Sequence, residues 1–415
     1  MFDYSDIVQV DLEASSLCNA ECPSCGRRAS GGIKNTIMKE TFVTIAQAKE
    51  WFSEDFVKQL KMLTMCGNYG DSMTNPDLIP ILRYFRSVNP DIQFYMNTNA
   101  SGRDPQFWQD LGNIFKHRGT LVFSVDGLED TNWIYRKGTH WDKIISAMTN
   151  YISTGADARW EFLVFRHNQH QIEEATSLSK ELGFKQFYAK KAMGFHDFTD
   201  SAGKRQHSMR VHGTEGQFQY TIQAPIDVDL ERKKWDSTID TPKDPIDPES
   251  GYLKDIQWQL SQSVVPKQRI EWHQKRSTQN STMDNTLPLS DYDKQLSESD
   301  INCEAIATKK IFVNSYGLVF PCCYLASIYD DDYSQGETVV PLKAFIDKYG
   351  EESISLQHNP LKYIIDSEIY TTGYIETFED RDIRNKRLKA CSVFCGKDPH
   401  VHETLKSLKT ENNLI

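Results

Sequence analysis

No apolar run in this chain approaches the length of a bilayer-spanning helix, which excludes an integral membrane protein of that kind. The opening Met1-Phe2-Asp3-Tyr4-Ser5-Asp6 lacks a basic region followed by an apolar stretch, so no secretory signal is expected. Positive charge is also in deficit. The 47 Lys and Arg face 58 Asp and Glu, for a formal net charge of −11. A phosphate-backbone binder needs the opposite balance, so nucleic acid is not an expected partner. No repeat of solenoid period is present. Hydrophobic residues make up only 39% of the chain, but 11% of it is aromatic, enough for a packed core under long polar surface segments. At 415 residues, two or three domains are expected. What the chain does have is nine cysteines. Without an export signal they read as reduced thiols or metal ligands in the cytoplasm, not as disulfides.

Three of them form the run Cys18-Asn19-Ala20-Glu21-Cys22-Pro23-Ser24-Cys25. A structural zinc site or an ordinary ferredoxin cluster takes four protein ligands. Three thiolates from one loop leave one iron of a four-iron cluster open, and an open metal position is where chemistry happens. A zinc loop or three unrelated thiols are the competing readings.

Around this loop, strands alternate with helices. Strands are expected at Ile7–Glu13, Met62–Cys66, Gln93–Thr98, Leu121–Gly127, Trp160–Phe165 and Lys185–Ala189. Helices are expected over 41–60, 76–86, 105–117, 141–153 and 171–182. Six βα units within about 190 residues imply a parallel sheet, and they fall short of the roughly 250 residues of a closed eight-fold barrel. The fold class is therefore α/β, a partial (β/α)6 barrel over residues 1–195. Residues 196–300 are rich in Asp, Lys, Gln, Ser, Thr and Pro. They read as an irregular insertion, lid or linker with one helix near 253–262. Residues 301–415 carry five cysteines. Cys66 reads as a buried apolar thiol.

Polar motifs fall at the strand ends: Tyr69-Gly70-Asp71-Ser72 after the second, Thr98-Asn99 after the third, Ser124-Val125-Asp126-Gly127 after the fourth, then Tyr135-Arg136 and Asn168. With the cysteine loop they resemble the radical S-adenosylmethionine (radical SAM) superfamily. The second motif departs from the family's Gly-Gly-Glu-Pro by Tyr69, Asp71 and Ser72. The resemblance implies that Cys18, Cys22 and Cys25 hold a 4Fe–4S cluster whose open iron binds S-adenosylmethionine. It makes Gly70, Asp71, Ser124, Asp126 and Arg136 cofactor-pocket candidates, with the Arg136 guanidinium suited to a carboxylate.

Cys303, the run Gly317-Leu318-Val319-Phe320-Pro321-Cys322-Cys323, and Cys391-Ser392-Val393-Phe394-Cys395 resemble the twitch domain, the shortened SPASM domain. A hairpin bend at Ser315-Tyr316-Gly317 would bring Cys303 near Cys322. The resemblance implies a second 4Fe–4S cluster on Cys303, Cys322, Cys391 and Cys395, with Cys323 the alternative to Cys322 and zinc the alternative metal. It further implies reductive cleavage of S-adenosylmethionine to a 5′-deoxyadenosyl radical, and hydrogen abstraction from a peptide or protein side chain. A small alcohol or sugar-like metabolite is the alternative substrate, and a non-catalytic iron–sulfur or zinc scaffold the alternative role. A flavodoxin or ferredoxin would supply electrons.

Overall fold

The computed structural model describes residues 1–199, 205–227, 230, 291–330 and 339–396. Among them, no helix is long and apolar enough to cross a membrane. The central element is an eight-stranded sheet in the order β11-β10-β1-β2-β3-β4-β5-β6. Its strands are β1 (Gln9–Leu12), β2 (Met62–Met65), β3 (Gln93–Thr98), β4 (Gly119–Ser124), β5 (Asp157–Val164), β6 (Gln186–Lys191), β10 (Lys310–Val313) and β11 (Val319–Phe320). The six N-terminal strands run parallel in sequence order, as their alternation with helices implies. Among the described residues β6 and β11 are the edges of this sheet.

One pairing has no local sequence signal. β10 lies parallel to β1, joining Val10 to Ile311 and Leu12 to Val313, so the N-terminal strand is an interior one. β11 folds back on β10 through the bend at Gly317, whose φ of 90° suits glycine.

Strand alternation sorts the residues between two faces. Val10, Leu63, Phe94, Met96, Leu121, Phe123, Trp160 and Phe162 pack into the main core with helix residues such as Phe85, Trp108, Phe115 and Tyr151. These come from α3 (Leu78–Val88), α4 (Pro105–Phe115) and α6 (Trp141–Ile152). The other face is polar. There Lys190 pairs with Glu161 at 2.8 Å, and Lys310 lies 3.8 Å from Asp11. Thr64 donates to Asp11, and the Arg159 guanidinium sits over the Tyr188 ring.

The helix expected over 41–60 is two, α1 (Ile45–Trp51) and α2 (Glu54–Gln59). Thr44 and Gln47 form a capping box at the first, and Ser53 caps the second by accepting from the Phe56 N–H. The start of the expected irregular insertion is ordered. β7 (His196–Thr199), β8 (Arg205–His212) and β9 (Phe218–Gln223) form an antiparallel sheet. Met209, Val211, Tyr220 and Ile222 from it pack against Ala20, Cys22, Tyr135 and Phe165. Four apolar side chains thus seat the sheet on the cysteine loop. The helix expected near 253–262 lies outside the described residues.

Candidate active site

The cysteine loop leaves the C-terminal end of β1 and is tied down by backbone and buried side chains. The Cys25 N–H donates to the Cys22 carbonyl at 3.1 Å, closing the turn that carries these two cysteines. Buried Arg27 donates Nη2 to the Cys18 carbonyl and Nη1 to Glu40 Oε1, both at 2.8 Å. Asn19 donates to the Ser101 carbonyl at 2.8 Å and accepts from Asn99 Nδ2 at 3.0 Å. Asn99 Nδ2 also stands 3.5 Å from the Cys18 sulfur.

All three thiols are desolvated. Burial pushes Cys18 up to about 12 and Cys22 up to about 11, and it raises Cys25 as well. Without a metal they stay protonated. A bound metal supplies the charge that removes those protons.

Arg136 reaches the loop from the C-terminal end of the short helix Asn132–Tyr135 that follows β4. Its Nε donates to Asp126 Oδ2 at 2.6 Å, and its Nη1 lies 3.8 Å from the Cys22 sulfur. Burial opposes the guanidinium charge, but Asp126, Cys22 and Tyr135 outweigh it and hold the proton more firmly than usual. Asp126 is fully buried and also accepts from the Leu163 N–H at 2.6 Å. Asn168 Nδ2 donates to the Asp126 carbonyl at 2.8 Å, which fixes the strand end. Ser124 closes β4 opposite Glu161.

Gly70 lies where the β2 loop crosses the β1 loop. A Cβ at this position would fall 1.8 Å from the Ser15 carbonyl oxygen, so only glycine allows the two backbones to approach. Asp71 is buried and turned inward. It accepts from the Asn99 N–H at 2.7 Å, from Thr98 Oγ1 at 3.1 Å and from the Met73 N–H at 3.1 Å. Its own N–H donates to the Leu17 carbonyl at 2.9 Å. It joins three strand-end loops.

Glu13 escaped the sequence reading. It is buried at the end of β1 and accepts from the N–H groups of Tyr69 at 2.7 Å and Gly70 at 3.1 Å. Burial pushes its carboxyl up to about 7, against the pull of those N–H groups. The folded chain therefore holds this proton more tightly than the unfolded one. Stability should fall as pH rises from about 4.5 to 7. Glu13→Gln is expected to flatten that slope in a series of Tm values against pH; an unchanged slope would contradict the assignment.

Cys66 corrects the sequence reading. It is solvent-exposed, not a buried apolar thiol. It continues the alternation of β2 onto the face of Thr64, and Asp11, Glu161, Lys310 and Lys190 surround it there.

The C-terminal cysteines gather separately. Cys303, Cys322, Cys391 and Cys395 line one cavity whose walls include Pro321, Leu325, Phe378 and Phe394. Cys323 does not line that cavity, and Asp11 and Lys310 are among its charged neighbours. Burial raises Cys322 to about 12 and lifts Cys391 well above its ordinary value. Two hydrogen bonds link this region to the β2 loop. Asn68 Nδ2 donates to the Cys323 carbonyl at 2.8 Å, and the Tyr69 hydroxyl to the Ser327 carbonyl at 2.6 Å.

Among the described residues, no three His, Cys, Asp or Glu side chains converge as a single metal ion requires. A four-iron cluster instead spreads its thiolates over separate irons. Three neighbouring thiols on one loop, and four around an apolar cavity, have the donor chemistry for two such groups.

No family model matches this chain, and no curated protein matches it. It is similar to the crystal structure of Streptococcus suis SuiB bound to S-adenosylmethionine, with 13% identity, a TM-score of 0.42, and coverage of 77% of this chain and 61% of SuiB. The chain thus spans about three fifths of SuiB. It is similar to anSMEcpe with bound AdoMet at 14% identity and a TM-score of 0.45, over 99% of this chain and 96% of that one. The structure of BtrN in complex with AdoMet and 2-DOIA matches 28% of this chain and 45% of BtrN, at 14% identity and a TM-score of 0.24.

Proposed function

We propose that this protein is a radical SAM enzyme with an auxiliary cluster of the twitch type, acting on a peptide or protein side chain. The observation that carries the reading is the loop of three desolvated thiols enclosed by the strand-end motifs of β2, β3 and β4. Cys18, Cys22 and Cys25 would hold a 4Fe–4S cluster, and Cys303, Cys322, Cys391 and Cys395 a second. When bound, the first cluster supplies the electron that splits S-adenosylmethionine and yields the hydrogen-abstracting 5′-deoxyadenosyl radical.

The chain's own residues bind, orient and shield. Arg136 brings positive charge to the Cys22 sulfur, and Asp126 fixes its aim. Asn99 directs an amide N–H toward the Cys18 sulfur. Donors and positive charge near cluster sulfurs favour the reduced state, which makes both residues tuners of potential. Gly70 lets two loops close without a side chain between them, and Asp71 and Glu13 keep them closed. The sheet of β7, β8 and β9 excludes water from the loop's apolar side. The polar face of the main sheet, carrying Glu161, Lys190, Asp11 and Lys310, offers hydrogen-bonding groups to a substrate.

Anaerobic reconstitution with iron and sulfide counting tests the proposal. Two filled clusters predict about eight irons and eight sulfides per chain. A chain that takes up zinc in place of iron, or fewer than about four irons, would overturn it.

A further inference from the structure

A second cavity opens between the cysteine loop and the antiparallel sheet. Ser24 and Ser30 contribute one wall, and His196, Ser208, Arg210 and His212 the other. Ser208, Arg210 and His212 recur at alternate positions of β8, and Met209 between them completes the wall, its sulfur 3.4 Å from Ser24 Oγ. His196 of β7 stands opposite Ser208 in the ladder. Gly194 (φ 95°) makes the close approach possible, because a Cβ there would lie 2.5 Å from Ser24 Oγ.

Two independent features mark this as a binding site. The described residues lining it bring one guanidinium, two imidazoles and three hydroxyls, and no carboxylate. In addition, Ser208 is 2% exposed, and its Oγ finds no hydrogen-bond partner among the described residues. A buried hydroxyl is ordinarily satisfied, and a ligand oxygen entering the cavity would satisfy this one. Guanidinium, imidazole and hydroxyl donors together complement an oxyanion.

The geometry points to a binding site for an anionic group, a carboxylate or a phosphate ester, held by Arg210, Ser208 and the two histidines. Pro23 and Ser24 belong both to this cavity and to the cysteine loop, so the anion sits beside Cys22 and Cys25. Its role as the handle of the substrate rests on the function proposed above; the site itself does not.

Calorimetric titration of the full chain, without iron or S-adenosylmethionine, tests the site directly. Inorganic phosphate and succinate are the probes, at constant ionic strength set with chloride. Binding of either in the millimolar range is expected. Arg210→Gln should weaken it about tenfold or more, the loss of one charged hydrogen bond. Ser208→Ala should weaken it several-fold while leaving Tm unchanged or raised, since it removes an unsatisfied hydroxyl. Tighter phosphate binding assigns a phosphate ester, and tighter succinate binding a carboxylate. Absence of binding by both probes at about 10 mM, or equal affinity in wild type and Arg210→Gln, overturns the proposal. Neither result depends on cluster assembly, so failure here leaves S-adenosylmethionine cleavage to be judged separately.

Discussion

Cys18→Ala is expected to reduce S-adenosylmethionine cleavage to background while leaving the C-terminal cluster in place. Two thiolates from one loop cannot hold a cluster that already lacks a fourth protein ligand. The C-terminal cavity takes none of its four thiols from this loop. Iron should therefore fall from about eight to about four per chain, and 5′-deoxyadenosine should vanish. The fold should survive. Cys18 is only partly buried, and the Arg27 and Asn19 bonds that shape its loop do not use its side chain. Full iron loading with retained cleavage in this variant would contradict the assignment of Cys18.

Asp126→Ala is expected to be the most damaging single change to stability in the site. The carboxylate is wholly buried and is the partner of the Arg136 Nε at 2.6 Å. Removing it strands a desolvated guanidinium, which costs about 3–5 kcal/mol in comparable buried pairs. The Leu163 N–H loses its acceptor as well. A drop in Tm on the order of 10 °C should follow in a thermal scan of the apoprotein. Arg136→Met in the same background should recover part of that loss, because the stranded charge is gone, but it should not recover cleavage. A Tm within about 2 °C of wild type for Asp126→Ala alone would show that water or another group already compensates Arg136.

Much of the sheet was legible because β1 to β6 each follow a local rule. A short apolar or alternating run is set off by a capped helix, as with Thr44 before α1 and Asp104 before α4. The strand-end motifs were legible for the same reason, since a strand's end is where its polar residues start. The pairing of β1 with β10 was not. It joins segments some three hundred positions apart, and nothing local in Lys310–Val313 names its neighbour. The antiparallel sheet hid because β8 carries only Met209 and Val211 as apolar partners among Arg, Gln, His and Ser. Glu13 was missed because a carboxylate just past a strand ordinarily faces water; only the turn of Tyr69 and Gly70 onto it makes it a buried anchor. Cys66 was misplaced because the apolar run Met62–Met65 suggested a buried continuation, whereas alternation carries it with Thr64 onto the polar face. The four C-terminal cysteines were readable as a spacing. Which member of the adjacent pair joins them depends on the start of the helix Cys323–Tyr329, where Cys322 is the N-cap and Cys323 the first helical residue.

The most direct test of the central claim is to reduce the reconstituted wild-type protein under anaerobic conditions, add S-adenosylmethionine, and quantify 5′-deoxyadenosine by liquid chromatography. The account predicts 5′-deoxyadenosine and methionine in equal amounts, dependent on both reductant and the cysteine loop. A fully iron-loaded, reduced protein that leaves S-adenosylmethionine intact would contradict it.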